Sequence, residues 1–478
     1  MTKSVLSKIL VYLFLEVICF LLFALLFVED VNGDLLVVMS SSCVFLFVFH
    51  ILILAWILDF KLVSMPFLYS IVMSVYMISP LVLYLESGAD GLFYWRYISL
   101  DYIAKTIPYL MLSVIAFVLG AGIAIISFKA RGPLIKDYKR VLSRHDKLAL
   151  YIAWSVFIFS ITVIIIETIS GGGLMPMING DYHVYSENRK SGEASRLFVA
   201  TMTWFMPMSI ITLNALDKWR LQSCGYTDII FLLGALVFIV SGDRGTLLAV
   251  CASWLILHQL ICKNISFGKL VWVCVGVMIF IPTMEIMRNF SFSEWSFSNV
   301  ISTAINVSSN EKFSGSTLLA MLGPFSPSLM TFMGTLMKYD GGEAIRLGSD
   351  YIFALLSAIP FNSSMAPNNS MQIHNYLIPD RKGGPGYMAV AEFFINFHVL
   401  GVIFGHLILG YLTTRMQYSM HKLGISAIKV AFYATVFFAL LLWIRNEFSG
   451  LLQVTFYWSI CFLLLPVLLK RLLPWRYS

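Results

Sequence analysis

Leu35-Leu36-Val37-Val38-Met39-Ser40-Ser41-Ser42-Cys43-Val44-Phe45-Leu46-Phe47-Val48-Phe49-His50-Ile51-Leu52-Ile53-Leu54-Ala55-Trp56-Ile57-Leu58 runs from Asp34 to Asp59 without one charged side chain. About 20 such residues, wound as an α-helix, cross the hydrocarbon core of a bilayer. A helix satisfies its own backbone hydrogen bonds there, where no water can. The pattern recurs along the chain, with apolar runs near 9–28, 62–85, 102–128, 148–170, 197–216, 227–242, 246–262, 269–287, 388–414, 429–445 and 450–469. The expected fold is therefore all-α, a polytopic transmembrane helical bundle of about twelve spans. Composition agrees: 59% of the 478 residues are hydrophobic and 12% are charged. Soluble domains carry about 25% charged residues, so an ordinary soluble enzyme is excluded. A disordered chain, which needs low hydrophobicity, is excluded too.

The net charge of +7 is useful for its sidedness. Lys and Arg near span ends favour the cytoplasmic face. With the N-terminus inside and the spans alternating, most of the 33 basic residues fall on cytoplasmic segments, including the cluster from Lys129 to Lys147. Most of the 26 acidic residues fall outside. Both termini are thus expected in the cytoplasm. The first run lacks a small-residue cleavage site and reads as a retained span. Three regions follow: residues 1–287 with nine spans and short loops, a large outer loop over 288–387 with short helices such as Tyr351–Ile359, and residues 388–478 with the last three spans. The basic residues form no single stripe, so nucleic acid is not an expected partner. The seven cysteines show no CxxC and no Cys/His cluster, so neither a metal site nor a disulfide framework is expected. No internal repeat is evident, which weighs against transporter folds built from duplicated halves.

Three arginines stand at the outer ends of different spans: Arg244 in Ser241-Gly242-Asp243-Arg244-Gly245, Arg288 after Met284-Glu285-Ile286-Met287, and Arg445 in Trp443-Ile444-Arg445-Asn446-Glu447. Each alone reads as a side chain snorkelling to the head-group zone. Together, against the inside bias of positive charge, they read as a diphosphate clamp, because a guanidinium fork binds phosphate oxygens bidentately. A second pattern is Gly383-Gly384-Pro385-Gly386-Tyr387-Met388-Ala389-Val390-Ala391-Glu392-Phe393-Phe394-Ile395-Asn396-Phe397, followed by Gly401, Gly405 and Gly410. Glu392 lies about one turn inside a span, where an unpaired carboxylate is costly. It reads either as one half of a salt bridge to an arginine, or as a general base or positioning residue for an attacking hydroxyl. Asn396 follows one turn on, placed to hydrogen-bond sugar hydroxyls. His374, in the outer loop, is suited to proton transfer near neutral pH, or is plain surface. Asp243, Arg381 and Tyr387 are weaker glycan-binding candidates.

These motifs resemble those of the Wzy-type O-antigen polymerases, which are oligosaccharide repeat-unit polymerases of the bacterial envelope. The Ser-Gly-Asp-Arg-Gly turn, the large outer loop, the Gly-rich lead into Ala-Glu-Phe-Phe-Ile-Asn-Phe and the late outer arginine carry the resemblance. Phe397-His398 departs from it, because Phe-Gly is more usual there. The resemblance implies a membrane glycosyltransferase related to the GT-C kind, in the inner membrane with its site facing the periplasm. The growing glycan would pass from undecaprenyl diphosphate to a new lipid-linked repeat unit. Arg244, Arg288 and Arg445 would hold the diphosphate, Glu392 would match the motif's acidic residue, and His374 would be an analogue of a ligase loop histidine. A flippase and a chain-length regulator would be partners, together with membrane lipid, and neither metal nor cofactor would be needed. A lipid-linked oligosaccharide flippase or transporter and an O-antigen ligase are the rival readings.

Overall fold

The computed structural model describes residues 33–58, 63–87, 98–129, 142–181, 195–221, 226–262, 296–305, 322–359, 367–378, 386–422 and 425–472, with isolated residues between these segments. Among the described residues every regular element is helical. The principal helices are α1 Gly33–Ile57, α2 Met65–Ser87, α3 Leu100–Lys129, α4 Arg144–Ile169, α5 Arg196–Leu221, α6 Tyr226–Val240, α7 Arg244–Ile261, α8 Phe297–Ile305, α9 Pro327–Asp340, α10 Ser349–Ser357, α11 Asn369–Leu377, α12 Ala389–Met420, α13 Ala427–Trp443 and α14 Phe448–Arg471. Eight of them (α1 to α5, α7, α12 and α14) are long and apolar enough to cross a membrane, and α6 and α13 are shorter apolar helices. Ten of the twelve expected runs are thus helices of the right place and character. The runs at 9–28 and 269–287 lie largely outside the described residues.

The chain divides into two compact units. Unit 1 comprises Met1–Leu134, Ser308–Ser419 and Trp443–Ser449, so it holds α1 to α3, α9 to α11, most of α12 and the turn after α13. Its helices come together through small residues. A Cβ on Gly120 of α3 would run into the Leu407 carbonyl of α12, and one on Gly410 of α12 into the Phe117 carbonyl of α3. Hydrocarbon supplies no hydrophobic drive between helices, so close backbone approach is what holds such a crossing. Although α9 belongs to the expected outer loop, Leu329, Met330, Phe332, Met333 and Leu336 are all buried. It packs against α2, α3 and α11.

Midway along α12 the helix breaks at Phe397 (φ −142°) and His398 (φ 56°, ψ −148°). That region of backbone space is one that glycine adopts and other residues pay about 1–3 kcal/mol to occupy. The sequence departure from Phe-Gly therefore falls at the residue whose backbone takes a glycine conformation. Next to the break, the Ile395 carbonyl accepts the Arg346 N–H at 2.9 Å.

Unit 2 comprises Ile135–Val307, Met420–Leu442 and Gly450–Ser478. Asp146 caps two helices in it: its Oδ2 accepts the Ser143 N–H at 2.9 Å and its Oδ1 accepts the Ile428 N–H at 3.1 Å. Lys218 of α5 is fully buried, paired to Asp228 of α6 at 2.8 Å and lying 4.7 Å over the Trp254 ring of α7. Buried lysines are rare unless paired, and this one ties three helices together.

Candidate functional site

In unit 1 the N-terminal turns of α12 carry Glu392 and Asn396, four residues apart and so on one face. Both are 0% exposed. Glu392 Oε2 accepts the Trp443 Nε1–H at 2.7 Å, and the Phe448 N–H approaches both carboxylate oxygens at 3.0 and 3.2 Å. Among the described residues the partners of this carboxylate are an indole and a backbone amide, not an arginine. They stand at the two ends of the turn Trp443–Phe448, so Glu392 fixes that turn from beneath.

The turn carries Arg445 and Glu447. The Tyr387 N–H donates to the Arg445 carbonyl at 2.6 Å. Gly386 has φ 90°, and a Cβ there would meet Arg445 Cγ at 2.7 Å. Only glycine both adopts this backbone and leaves that room. The glycine-rich lead thus lets the chain lie directly against Arg445 before α12 begins.

Around Asn396 a second set of polar groups closes. Asp350 of α10, 4% exposed, accepts from Arg346 Nη1 at 3.1 and 3.2 Å, from Asn369 Nδ2 at 2.9 Å and from Asn396 Nδ2 at 3.2 Å. Arg346 also donates to Asn369 Oδ1, to Glu343 at 3.2 Å and to Gln372 at 3.0 Å. Asn396 Oδ1 and the Tyr351 hydroxyl are buried without a hydrogen-bond partner. A buried polar atom left unpaired costs about 1–3 kcal/mol, so this network carries two polar groups with unused hydrogen-bonding capacity. The Tyr351 ring stacks on Phe397 at 6.0 Å and meets Phe448 edge-on at 5.1 Å. Burial pushes the Tyr351 and Tyr387 hydroxyls above their ordinary pKa, so both stay protonated donors.

Glu447, like Glu343, is partly exposed. Its Oε1 accepts the Ser370 N–H at 2.9 Å, at the start of α11. Burial pushes its pKa up to about 7; the Ser370 and Asn369 amides oppose this, the Asp350 charge adds to it, and the Arg346 charge opposes it.

The expected residues are therefore placed as follows. Glu392, Asn396, Tyr387 and Arg445 belong to unit 1; Glu392 and Tyr387 hold the turn that carries Arg445, and Asn396 joins the Asp350 network one helical turn on. His374 lies buried in α11 of the same unit. Arg244 belongs to unit 2, at the first turn of α7. Asp243 is the N-cap of that helix, its carboxylate accepting the Thr246 N–H at 3.2 Å and the Thr246 hydroxyl at 3.0 Å. Arg288 and Arg381 lie outside the described residues. Sequence reasoning missed Arg346, Asp350, Asn369 and Glu447. Arg346 lies in the turn before α10 and Asp350 in its first turn, and nothing local in the sequence tied either to Asn396.

A family model described as O-antigen polysaccharide polymerase Wzy matches residues 9–477. No curated protein and no solved structure matches the chain.

Proposed function

The chain belongs to the O-antigen polysaccharide polymerase Wzy family, and from that premise we propose that its glycan-joining site is the polar cluster at the start of α12. The chain is a multi-pass membrane protein with O-antigen polymerase function, acting on lipid-linked oligosaccharide repeat units. The finer reading is ours. The donor is a growing glycan on undecaprenyl diphosphate in the inner membrane, and the acceptor is a new lipid-linked repeat unit on the periplasmic side. A flippase supplies units, and a chain-length regulator governs when extension stops.

The observation that carries this reading is the turn Trp443–Phe448. Its backbone is pinned by a buried carboxylate below and by Tyr387 alongside. A preorganised cation aimed at developing charge is the largest single catalytic device enzymes use. Arg445 supplies it for the departing diphosphate, whose charge grows as the glycosidic bond to it breaks. Asn396 Oδ1 and the Tyr351 hydroxyl offer an acceptor and a donor to sugar hydroxyls. With the guanidinium neutralising the leaving group, no metal ion is required.

The test is a glycan ladder from a deletion strain complemented with variants. Arg445→Ala is expected to leave protein levels normal while the surface carries lipid A–core with a single repeat unit. Arg445→Lys is expected to recover little, because a point charge does not replace the bidentate fork. Long chains from Arg445→Ala, or no repeat unit at all at the surface, overturn the reading. Arg244→Ala and Arg288→Ala, run on the same gel, test the other two arginines.

A further inference from the structure

Glycosyl transfer to a sugar hydroxyl needs a group to take the proton of the incoming hydroxyl. Four carboxylates stand in the unit 1 cluster. Glu392 is wholly buried, and donors reach both its oxygens. Asp350 is almost as buried and accepts from Arg346, Asn369 and Asn396. Glu343 is held in ion pairs to Lys338 at 3.1 Å and Arg346 at 3.2 Å. Glu447 is partly exposed, and among the described residues its hydrogen-bond donors are backbone amides of the first turn of α11. It sits two residues from Arg445 on the turn that Glu392 pins.

We propose that Glu447 accepts the proton of the attacking sugar hydroxyl, resting on the polymerase reading above. The acceptor oxygen forms a bond to the anomeric carbon of the donor glycan. The bond from that carbon to the diphosphate oxygen breaks, and its electron pair leaves with the polyprenyl diphosphate. The hydroxyl proton passes to the Glu447 carboxylate and from there to water. Proton acceptor and leaving-group cation thus ride on one short turn, held at a fixed separation by the same buried carboxylate.

Several charged and titratable groups surround Glu447. Arg346 and Asp350 act on it from the segment around the start of α10. Glu392 faces it from α12. Arg445 lies on its own turn, and His374 lies one helical turn beyond Ser370 on α11. The bland alternative is that Glu447 merely caps α11, whose orphan amides need acceptors. Glutamine separates the two roles, because its side-chain oxygen still accepts the Ser370 N–H but cannot take a proton.

The experiment uses the full-length protein in proteoliposomes with lipid-linked repeat unit extracted from a polymerase-deletion strain. General-base catalysis contributes about 10²–10⁴-fold. Glu447→Gln is expected to polymerise at least ~100-fold more slowly while melting close to wild type, and Glu447→Asp to retain part of the rate. Wild-type kcat/KM is expected to rise with pH through about 7, where the carboxylate loses its proton, and that limb is expected to vanish in the residual activity of Glu447→Gln. A Glu447→Gln variant within threefold of wild type, or one whose pH limb persists, makes the residue a cap and overturns the proposal. An active Arg445→Ala control would instead sink the polymerase-site reading, so the two failures are distinguishable.

Discussion

At the scale of single residues, Glu392 shows how burial decides a role. A carboxylate one turn inside an apolar span is legible as exceptional from sequence, because it is costly there unless satisfied. What satisfies it is not legible: the Trp443 indole lies 51 residues away along the chain and the Phe448 amide 56 away. With its oxygens occupied, Glu392 is a positioning residue for the Arg445 turn. Glu392→Leu strands the Trp443 and Phe448 donors, and each buried orphan costs about 1–3 kcal/mol. That variant is expected to melt several degrees lower and to make no polymer, whereas Glu392→Gln, which keeps an acceptor, is expected to melt near wild type and retain partial chain length. Equal melting of Glu392→Leu and wild type in a thermal shift assay would contradict this. Asn396 and Tyr387, singled out from sequence, stand in the cluster. Asp350 and Glu447 were passed over because neither acid carries a local mark of its partners, which lie in other segments of the chain.

At the scale of elements, α12 is the informative one. Its spaced glycines were legible, and Gly410 meets α3 at a backbone crossing while Gly401 and Gly405 leave room for Phe393. Its break at His398 was legible only as a departure from Phe-Gly, since a histidine in an apolar run does not itself announce a positive φ. The break frees the Ile395 carbonyl for Arg346, which brings Asp350 to Asn396. Because the strain sits in the backbone, His398→Gly is expected to stabilise the protein by about 1 kcal/mol while keeping the polymer length distribution. A lower melting temperature would show that the imidazole, packed on Phe394 at 4.8 Å and Tyr339 at 5.2 Å, contributes more than the strain costs. Gly410→Leu, by contrast, forces α3 and α12 apart and is expected to reduce the amount of folded protein in membranes.

At the scale of the whole molecule, the sidedness of charge predicts where each end of each helix lies. Ala344, exposed between α9 and α10, is expected outside, and Lys422, exposed after α12, is expected inside. Against a wild-type background, Ala344→Cys is expected to react with a membrane-impermeant maleimide in intact spheroplasts, and Lys422→Cys only after lysis. The reverse pattern would invert the topology and place the cluster on the cytoplasmic side.

By itself the sequence determined that this chain is a bundle of helices apolar enough to cross a membrane, and to which family it belongs. Those properties follow from hydropathy and short motifs, which are sums over neighbours in the chain. Only the tertiary structure decided that Glu392 holds a turn, that α9 is buried against spans, and that Glu447 and Arg445 share one fixed segment with Asn396 nearby. Those facts rest on single hydrogen bonds between residues tens of positions apart. The physical reason is that buried polar groups must find partners wherever the fold brings one, and distance along the chain does not record which partner that is.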